Sequence, residues 1–223
     1  MPPSSSALPL PPTLFRDRRF VVLDKPAGLP VHAGPRGGAS VEGLFSALSR
    51  RKDGPWLVHR LDTDTAGCLV IALRRAALVE AQAEFAAGRA HKTYWAVVRG
   101  MPAEPDGIID APLLRHSTPA GWRMEVAAAG QRAVTEWTVR GSGDGLTWLE
   151  LHPRTGRTHQ VRVHCAMLGC PLLGDPVYGR DSGPLHLLAR AIRLDLDPPV
   201  AATAPVPAHM QAAMARCGWR SGA

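Results

Sequence analysis

Lysine is scarce in this chain of 223 residues, occurring only at Lys25, Lys52 and Lys92, so arginine supplies most of the 26 basic side chains. Acidic residues number 19, which leaves a formal net charge of +7. Arginine carries a planar set of donors that matches phosphate oxygens two at a time, which lysine cannot do. The charge favours a polyanionic partner such as nucleic acid, although an arginine- and alanine-rich coding bias explains the same composition.

Cysteine is also rare. The four cysteines, Cys68, Cys165, Cys170 and Cys217, form no C-x-x-C pair, which argues against a disulfide scaffold and favours reduced thiols in a cytoplasmic protein. No run of about eighteen apolar residues occurs, so we expect no membrane span. Residues 1–14 are rich in proline and serine and predict a disordered leader, without the basic start of a signal peptide. Residues 15–223 predict a single domain.

Hydrophobic periodicity predicts an α+β fold with a mixed, largely antiparallel sheet flanked by helices. We predict strands at residues 20–23, 68–73, 93–99, 133–140, 146–151 and 185–194, the last of these ending the sheet. We predict helices at residues 40–48, 74–87, 158–168 and 208–216, with Ser40 and Thr158 as N-caps and Gly88 as a C-cap. Residues 34–38 predict a flexible loop, residues 101–130 an irregular segment of surface loops, and residues 141–145 a long glycine-rich turn.

One carboxylate stands out by its position. Asp62 follows His59 and Arg60 on a turn just ahead of the apolar run at Cys68. A carboxylate held on such a turn and partly shielded from water suits a catalytic nucleophile or base. The same pattern is explained if Asp62 only caps a turn or pairs with Arg60 at the surface.

Two further segments combine charged or aromatic residues with apolar ones. Arg157 lies just before a predicted helix, where backbone N–H groups and a guanidinium together make a positive pocket. Tyr94 lies in a predicted strand, where its ring can stack on a base or its hydroxyl can pass a proton. A solvated basic helix end and a half-buried sheet aromatic are the structural alternatives.

Taken in order, these segments resemble the RluA-type pseudouridine synthase family. The matching stretches are residues 22–32 (VLDKPAGLPVH), 59–62 (HRLD) with 65–67 (TAG), 92–94 (KTY), 155–164 (TGRTHQVRVH), 174–179 (GDPVYG) and 185–187 (LHL). They span nearly all of the foldable chain. The family commonly has Thr-Ser-Gly where this chain has Thr65-Ala66-Gly67, and we expect no S4-type RNA-binding domain, so the catalytic domain itself must recognise the substrate.

The resemblance implies a central active-site cleft and a role for each matching residue. Asp62 would be the catalytic aspartate, Arg157 its basic partner, and Tyr94 the aromatic that packs on the target base. Residues that would bind substrate or shape the site are Arg60, Thr65, His59 and Leu187, with His59 more structural than catalytic. Burial raises the pKa of a carboxyl group and a neighbouring arginine lowers it, which is the physical reason to expect an arginine beside the catalytic carboxylate.

The implied reaction isomerises uridine in structured ribosomal or transfer RNA without oxidation or group donation, so we expect neither cofactor nor metal. No protein partner is implied, and we expect a monomer. Three rival functions make different demands on these residues. A zinc enzyme would use His159, His164, Cys165 and Cys170, but their spacing fits no zinc motif. A glycoside hydrolase would pair Asp62 with Asp64. A non-catalytic RNA-binding protein on the same fold would be expected to lose Asp62, Tyr94 or Arg157.

Overall fold

A computed structural model describes residues 9–34, 37–51, 53–118 and 121–221 of the chain. The strands are β1 (Thr13–Arg16), β2 (Phe20–Lys25), β3 (Trp56–Leu57), β4 (Ala66–Ala72), β5 (His91–Arg99), β6 (Asp106–Asp110), β7 (Leu113–Thr118), β8 (Gly121–Val126), β9 (Val134–Gly143), β10 (Leu146–Pro153), β11 (Leu187–Leu194) and β12 (Val200–Thr203). The helices are α1 (Phe45–Leu48), which follows a 3-10 turn at Glu42–Leu44, α2 (Arg75–Ala86), α3 (Gln160–Met167) and α4 (Ala208–Arg216).

Ten strands form one sheet in the order β1-β2-β4-β11-β5-β10-β9-β6, with β12 beside β11 and β3 beside β4. The pairing of β4 with β11 is parallel, and every other pairing among the described residues is antiparallel. The predicted α+β fold with a mixed, largely antiparallel sheet is confirmed. Because β4 and β11 lie at the centre, residues more than a hundred positions apart become neighbours there.

The central strand β5 separates two parts of the core. Trp95 and Val97 pack into a cluster with α2 and α4, whereas Tyr94, Ala96 and Val98 pack into a cluster with α3. Side chains alternate between the faces of a strand, so this division follows directly from the sequence. The face that carries Tyr94 is the one that forms the candidate site.

Several predicted elements are confirmed with small shifts. The helix at 74–87 is α2, and Gly88 ends it at a φ of 71°, a conformation that glycine adopts without strain. The helix predicted at 40–48 is a 3-10 turn followed by α1, and the N-cap of the turn is Val41 rather than Ser40, although the Oγ of Ser40 accepts a hydrogen bond from the N–H of Gly43 at 3.2 Å. Regular structure begins in β1 at Thr13, two residues earlier than predicted. Residues 1–8 of the predicted leader, and residues 35 and 36 of the predicted loop, lie outside the described residues.

The prediction of an irregular segment at residues 101–130 is wrong. This segment holds β6 and the β7–β8 hairpin, a separate two-stranded sheet. Its charged and small residues conceal the pattern, because most residues on both faces of the hairpin are exposed and leave little hydrophobic alternation. The strand predicted to end the sheet is also followed by another, since β12 pairs with β11 after the Pro-rich connection.

The predicted long turn at residues 141–145 is much shorter, because β9 continues through Gly143 and only Asp144 and Gly145 turn the chain. Both have positive φ, 53° and 71°, as expected for a two-residue hairpin turn. Gly141 and Gly143 instead allow the end of α4 to pack closely against β9. A Cβ at Gly141 would lie 2.0 Å from the carbonyl oxygen of Cys217, so the end of α4 rests directly on this strand.

The helix predicted at 158–168 is confirmed as α3, but its N-cap is His159 rather than Thr158. His159 has a φ of 54°, in the left-handed region that is uncommon for residues other than glycine. Within the described ranges, no helix is both long and apolar enough to cross a membrane.

Candidate active site

A cavity of about 240 Å³, here called the inner cavity, opens between the turn before β4, strand β5 and the loop that leads into α3. Its lining contains all seven residues predicted from the sequence, namely Asp62, Tyr94, Arg157, Arg60, Thr65, His59 and Leu187. Residues to which the sequence analysis assigned no part in this site also line it, among them Phe85, Lys92, His159, Gln160 and Arg162. The volume lies below the roughly 300–1,000 Å³ of pockets for drug-sized ligands, which suits one nucleobase.

The Asp62 turn is held by a buried lysine on β2. Lys25 is fully buried, and its ammonium donates hydrogen bonds to the carbonyl oxygens of Pro26, Leu29 and Thr63 at 2.8–2.9 Å. The carbonyl of Thr63 also accepts the N–H of Gly28 at 2.9 Å. Burial lowers the pKa of Lys25 to about 8, although the charges of Asp64 and Asp62 oppose this. The residue next to Asp62 is therefore pinned to the end of β2.

His59 fixes the other side of the same turn. Its Nε2 accepts the N–H of Val70 on β4 at 3.0 Å, and its ring stacks on Phe85 of α2 at 5.1 Å. Burial, with the nearby charge of Lys92, lowers the pKa of His59 to about 4. A neutral imidazole whose acceptor nitrogen is already occupied is placed for support rather than for proton transfer.

The loop before α3 is organised by one buried amide. The Oε1 of Gln160 accepts the hydroxyl of Thr155 and the N–H of Arg157 at 2.7 and 3.0 Å. Its Nε2 donates to the carbonyl of Val134 and the hydroxyl of Thr135 on β9, both at 2.9 Å. This amide ties the loop to the sheet and sets the path of residues 155–159 past Asp62.

The predicted ion pair between Asp62 and Arg157 does not form. The Arg157 guanidinium instead donates to the carbonyl of Arg132 at 3.2 Å and to Oε1 of Gln131 at 2.9 Å. The reason is the loop path, which directs this exposed side chain toward the connection after the β7–β8 hairpin. Arg157 and Asp62 both line the inner cavity, but their side chains form no hydrogen bond or ion pair with each other.

Arg162, on the first turn of α3, is another arginine that lines the inner cavity together with Asp62. The Arg162 guanidinium forms two hydrogen bonds of 2.8 Å with Asp175, both residues being buried. Burial lowers the pKa of Arg162, but the hydrogen bonds and charge of Asp175, together with the charge of Asp62, raise it overall. The site thus holds a fixed positive charge within electrostatic reach of Asp62.

Tyr94 lies on the face of β5 that borders the inner cavity. Burial first, and then the charge of Asp62, raise the pKa of its hydroxyl above the ordinary value. The phenol therefore stays protonated throughout the neutral range. Its oxygen makes no hydrogen bond within the described part of the chain, so both the ring and the hydroxyl are available to a bound base.

His159 and Tyr178 form a second polar pair beside the carboxylate. The Nδ1 of His159 lies 2.8 Å from the Tyr178 hydroxyl, which also accepts the N–H of Met124 at 2.9 Å. The Tyr178 hydroxyl therefore links the His159 ring to the backbone of β8. Burial lowers the pKa of His159, against the opposing charge of Asp62.

The remaining predicted residues complete the lining. Arg60 donates a hydrogen bond from Nη2 to the hydroxyl of Thr158, which joins the Asp62 turn to the loop before α3. Thr65 is buried, and its N–H closes the turn on the carbonyl of Asp62 at 3.1 Å. Leu187 is buried at the start of β11 and supplies an apolar wall.

A larger depression of about 860 Å³, here called the outer groove, continues from Asp62 to the β7–β8 hairpin. Arg60, Arg157 and Arg162 line both spaces, and the outer groove adds Arg115 and Trp122 from the hairpin. Arg60, Arg115 and Arg157 have no carboxylate within 4 Å among the described residues. An extended polyanion could therefore follow the groove while one base enters the inner cavity.

The geometry bears on two rival functions. No group of three or more His, Cys, Asp or Glu side chains in the described ranges is arranged to hold a metal ion. His164, one of the candidate zinc ligands, is buried and bonded to Thr135 and Ala111. Asp64, the carboxylate that a glycoside hydrolase would pair with Asp62, is exposed and lines only the outer groove.

Residues 19–167 match the family model described as RNA pseudouridylate synthase. The chain belongs to this family. It is 40% identical over 203 residues to a protein of Zymomonas mobilis named as an uncharacterized RNA pseudouridine synthase, a match that covers 87% of this chain and 93% of that one. It is also 40% identical over 186 residues to the ribosomal large subunit pseudouridine synthase D of Nitrosomonas europaea, covering 80% of this chain and 52% of that one.

The fold agrees with this membership. The solved structure of human RNA pseudouridylate synthase domain containing 4 superposes with a TM-score of 0.79 at 27% identity, covering 92% of each chain. The predicted pseudouridine synthase fold and the RluA-type resemblance are confirmed. The chain spans nearly the whole of the Zymomonas relative but about half of the Nitrosomonas one.

In this pseudouridine synthase, the residues that sequence reasoning missed are the ones that act through tertiary contacts. Arg162 lay within the motif at residues 155–164, but Arg157 and Arg162 could not be told apart by residue type. The available signal was position, because Arg162 lies inside the predicted helix and Arg157 precedes it, and an arginine buried under a helix requires an acidic partner. The motif at 174–179 supplied that partner, Asp175.

Proposed function

We propose that this chain converts uridine to pseudouridine in structured ribosomal or transfer RNA, with Asp62 as the catalytic carboxylate of the inner cavity. One observation carries the proposal. The Asp62 side chain makes no hydrogen bond or ion pair with any described residue, although the turn around it is fixed by Lys25 and His59. A carboxylate with free oxygens on a firmly held turn, beside a cavity of nucleobase size, is placed to act on a bound nucleotide.

The reaction balances within the nucleotide. The bond from ribose C1′ to uracil N1 breaks, the base turns, a bond forms from C1′ to C5, and the proton on C5 is lost while N1 gains one. Positive charge develops on the sugar when N1 leaves. Asp62 can stabilise this charge, bond to C1′ or take the proton from C2′, and each of these roles needs an ionised carboxylate next to the ribose.

Two neighbours of Asp62 would take part in the reaction, one through its charge and one through its ring. Arg162 supplies a positive charge that cannot leave, because Asp175 holds its guanidinium at two points. Tyr94 offers a ring against which the uracil can pack. Since its phenol stays protonated, moving the C5 proton to the Tyr94 oxygen requires that oxygen to release its own proton at the same time.

The outer groove would hold the RNA around the target. Extruding a base from its stack costs a few kcal/mol, and arginine–phosphate contacts must offset part of this. Arg60 and Arg157 lie where such contacts would form, so binding should weaken as salt rises. The names of the ribosomal relatives favour ribosomal RNA, and we propose that the protein acts as a monomer in the cytoplasm.

The decisive experiment compares Asp62→Asn with Asp64→Asn, because both remove one carboxylate from the same turn. Each variant is expressed in cells from which the wild-type gene has been deleted, and pseudouridine in their RNA is mapped with carbodiimide adducts. The adducts are needed because isomerisation leaves the mass of uridine unchanged. Asp62→Asn should abolish the product and leave RNA binding intact, whereas Asp64→Asn should keep the product. Full activity in Asp62→Asn, or equal loss in both variants, would refute the assignment.

The alternative of a non-catalytic RNA-binding protein has its own outcome in the same maps. It predicts that cells with and without the wild-type gene show identical adduct patterns, although purified protein binds the RNA. A uridine that is modified only when the gene is present identifies the substrate as well as the activity.

A further inference from the structure

The β7–β8 hairpin places an aromatic side chain and an unpaired cation on the outer groove. Trp122 is 41% exposed, and it is the one exposed tryptophan of the six in the chain, all of which are described. Arg115 lies diagonally across the strand pair, with its guanidinium carbon 4.7 Å from the centroid of the Trp122 ring. No carboxylate of a described residue lies within 4 Å of Arg115.

The tryptophan is also connected to the candidate active site. Its ring stacks on that of His159 with centroids 5.1 Å apart and planes inclined by 23°. His159 lines both the inner cavity and the outer groove, next to Asp62. The stacked rings of Trp122 and His159 therefore connect the hairpin to the lining of the inner cavity.

The two faces of the hairpin differ in their surroundings. Arg115 pairs with Met124 and Ser117 with Trp122, so these side chains share a face, while His116 and Arg123 occupy the opposite one. Arg115, Trp122 and Met124 line the outer groove, whereas His116 and Arg123 do not. The pairing of an aromatic with a free cation is thus confined to the face that looks toward Asp62.

We propose that Arg115 and Trp122 form a second nucleotide subsite, which binds a nucleotide of the RNA substrate that flanks the extruded uridine. The base of this nucleotide packs on Trp122 and its phosphate is held by Arg115. Aromatic rings stack on any base, and arginine holds phosphate through paired donors, so this chemistry recognises a single-stranded nucleotide without choosing its sequence. The proposal depends on the proposed function only in taking RNA as the occupant.

The test separates base stacking from charge. Full-length Asp62→Asn protein, which leaves the RNA unchanged, is titrated at constant salt against a fluorescein-labelled oligouridine of eight nucleotides and against an abasic oligomer of the same length. Trp122→Ala should weaken oligouridine binding on the order of tenfold and leave abasic binding unchanged. Trp122→Phe should restore part of the loss, which a general folding defect would not allow.

Arg123→Ala is the matched control for Arg115→Ala, since it removes the same charge from the same hairpin on the other face. Arg115→Ala should weaken the binding of both oligomers clearly more than Arg123→Ala does. Equal effects of the two arginine variants, or a Trp122→Ala effect that is absent or the same for both oligomers, would overturn the subsite. Because turnover is not measured, an inactive wild-type enzyme would refute the proposed function and leave this result standing.

Discussion

Arg162 and Asp175 form a two-point ion pair in the interior, with Nε to Oδ2 and Nη2 to Oδ1 distances of 2.8 Å and side chains that are 6% and 0% exposed. Burial alone would raise the pKa of Asp175, but Arg162 and the N–H groups of Tyr178 and Val177 hold it below the ordinary value. One guanidinium nitrogen remains outside the pair. The pair therefore fixes the arginine while leaving part of its charge for Asp62.

Asp175→Asn should destabilise the protein by about 3–5 kcal/mol, because it leaves the Arg162 charge buried without its partner. The matched control is Glu136→Gln, which breaks the exposed ion pair with Arg154 and should cost no more than about 1 kcal/mol. Urea unfolding of both variants measures the difference. Similar losses of unfolding free energy in the two variants would show that the buried Arg162–Asp175 pair is no more costly to break than an exposed one.

Arg162→Lys and Arg157→Ala separate the two arginines of the α3 motif. Lysine keeps the charge at position 162 but cannot form both hydrogen bonds to Asp175, so turnover should fall strongly. Arg157→Ala should weaken RNA binding and change turnover at saturating RNA little, since its guanidinium bonds Arg132 and Gln131 instead of Asp62. Single-turnover kinetics on the mapped RNA gives both quantities. The reverse pattern would restore Arg157 as the partner of Asp62.

Tyr94→Phe keeps the ring in the inner cavity and removes the hydroxyl. RNA affinity should be unchanged, and turnover should fall on the order of 10²-fold or more because the hydroxyl can no longer pass a proton. Tyr94→Ala should lose affinity as well, because the ring is gone. Unchanged turnover in Tyr94→Phe would confine the residue to packing on the base.

His59 makes the stability of the fold depend on acid. Its pKa is about 4 in the folded protein against 6.5 for an unperturbed histidine, so the unfolded chain binds more protons between these values. The free energy of unfolding should therefore fall, by at most about 3 kcal/mol from this residue, as the pH drops from 6.5 to 4.

His59→Gln tests this dependence, because its amide oxygen can accept the N–H of Val70 without titrating. The variant should lose less stability than the wild type over the same pH range, as measured by urea unfolding at each pH. Parallel curves for the wild type and His59→Gln would exclude His59 as the titrating group.

Local patterns in the sequence predicted the elements that pack on both sides of the sheet. The alternation in β5 placed Tyr94 on one face and Trp95 on the other, and the stop at Gly88 placed the end of α2. The β7–β8 hairpin escaped prediction because its stability comes from contacts with distant residues, such as the bond from the N–H of Met124 to Tyr178. Such contacts leave no period in the local sequence.

The amino-acid sequence by itself determined the family, the fold class and seven of the residues that line the inner cavity, because these residues belong to short motifs that the family shares. The tertiary structure alone decided what each arginine of the α3 motif binds: Arg157 bonds Arg132 and Gln131, whereas Arg162 pairs with Asp175. This difference depends on the path of the loop tied down by Gln160 and on the buried partner at Asp175, and both are contacts between residues far apart in the chain. Charge and residue type are local properties, whereas distance and desolvation exist only once the chain has folded.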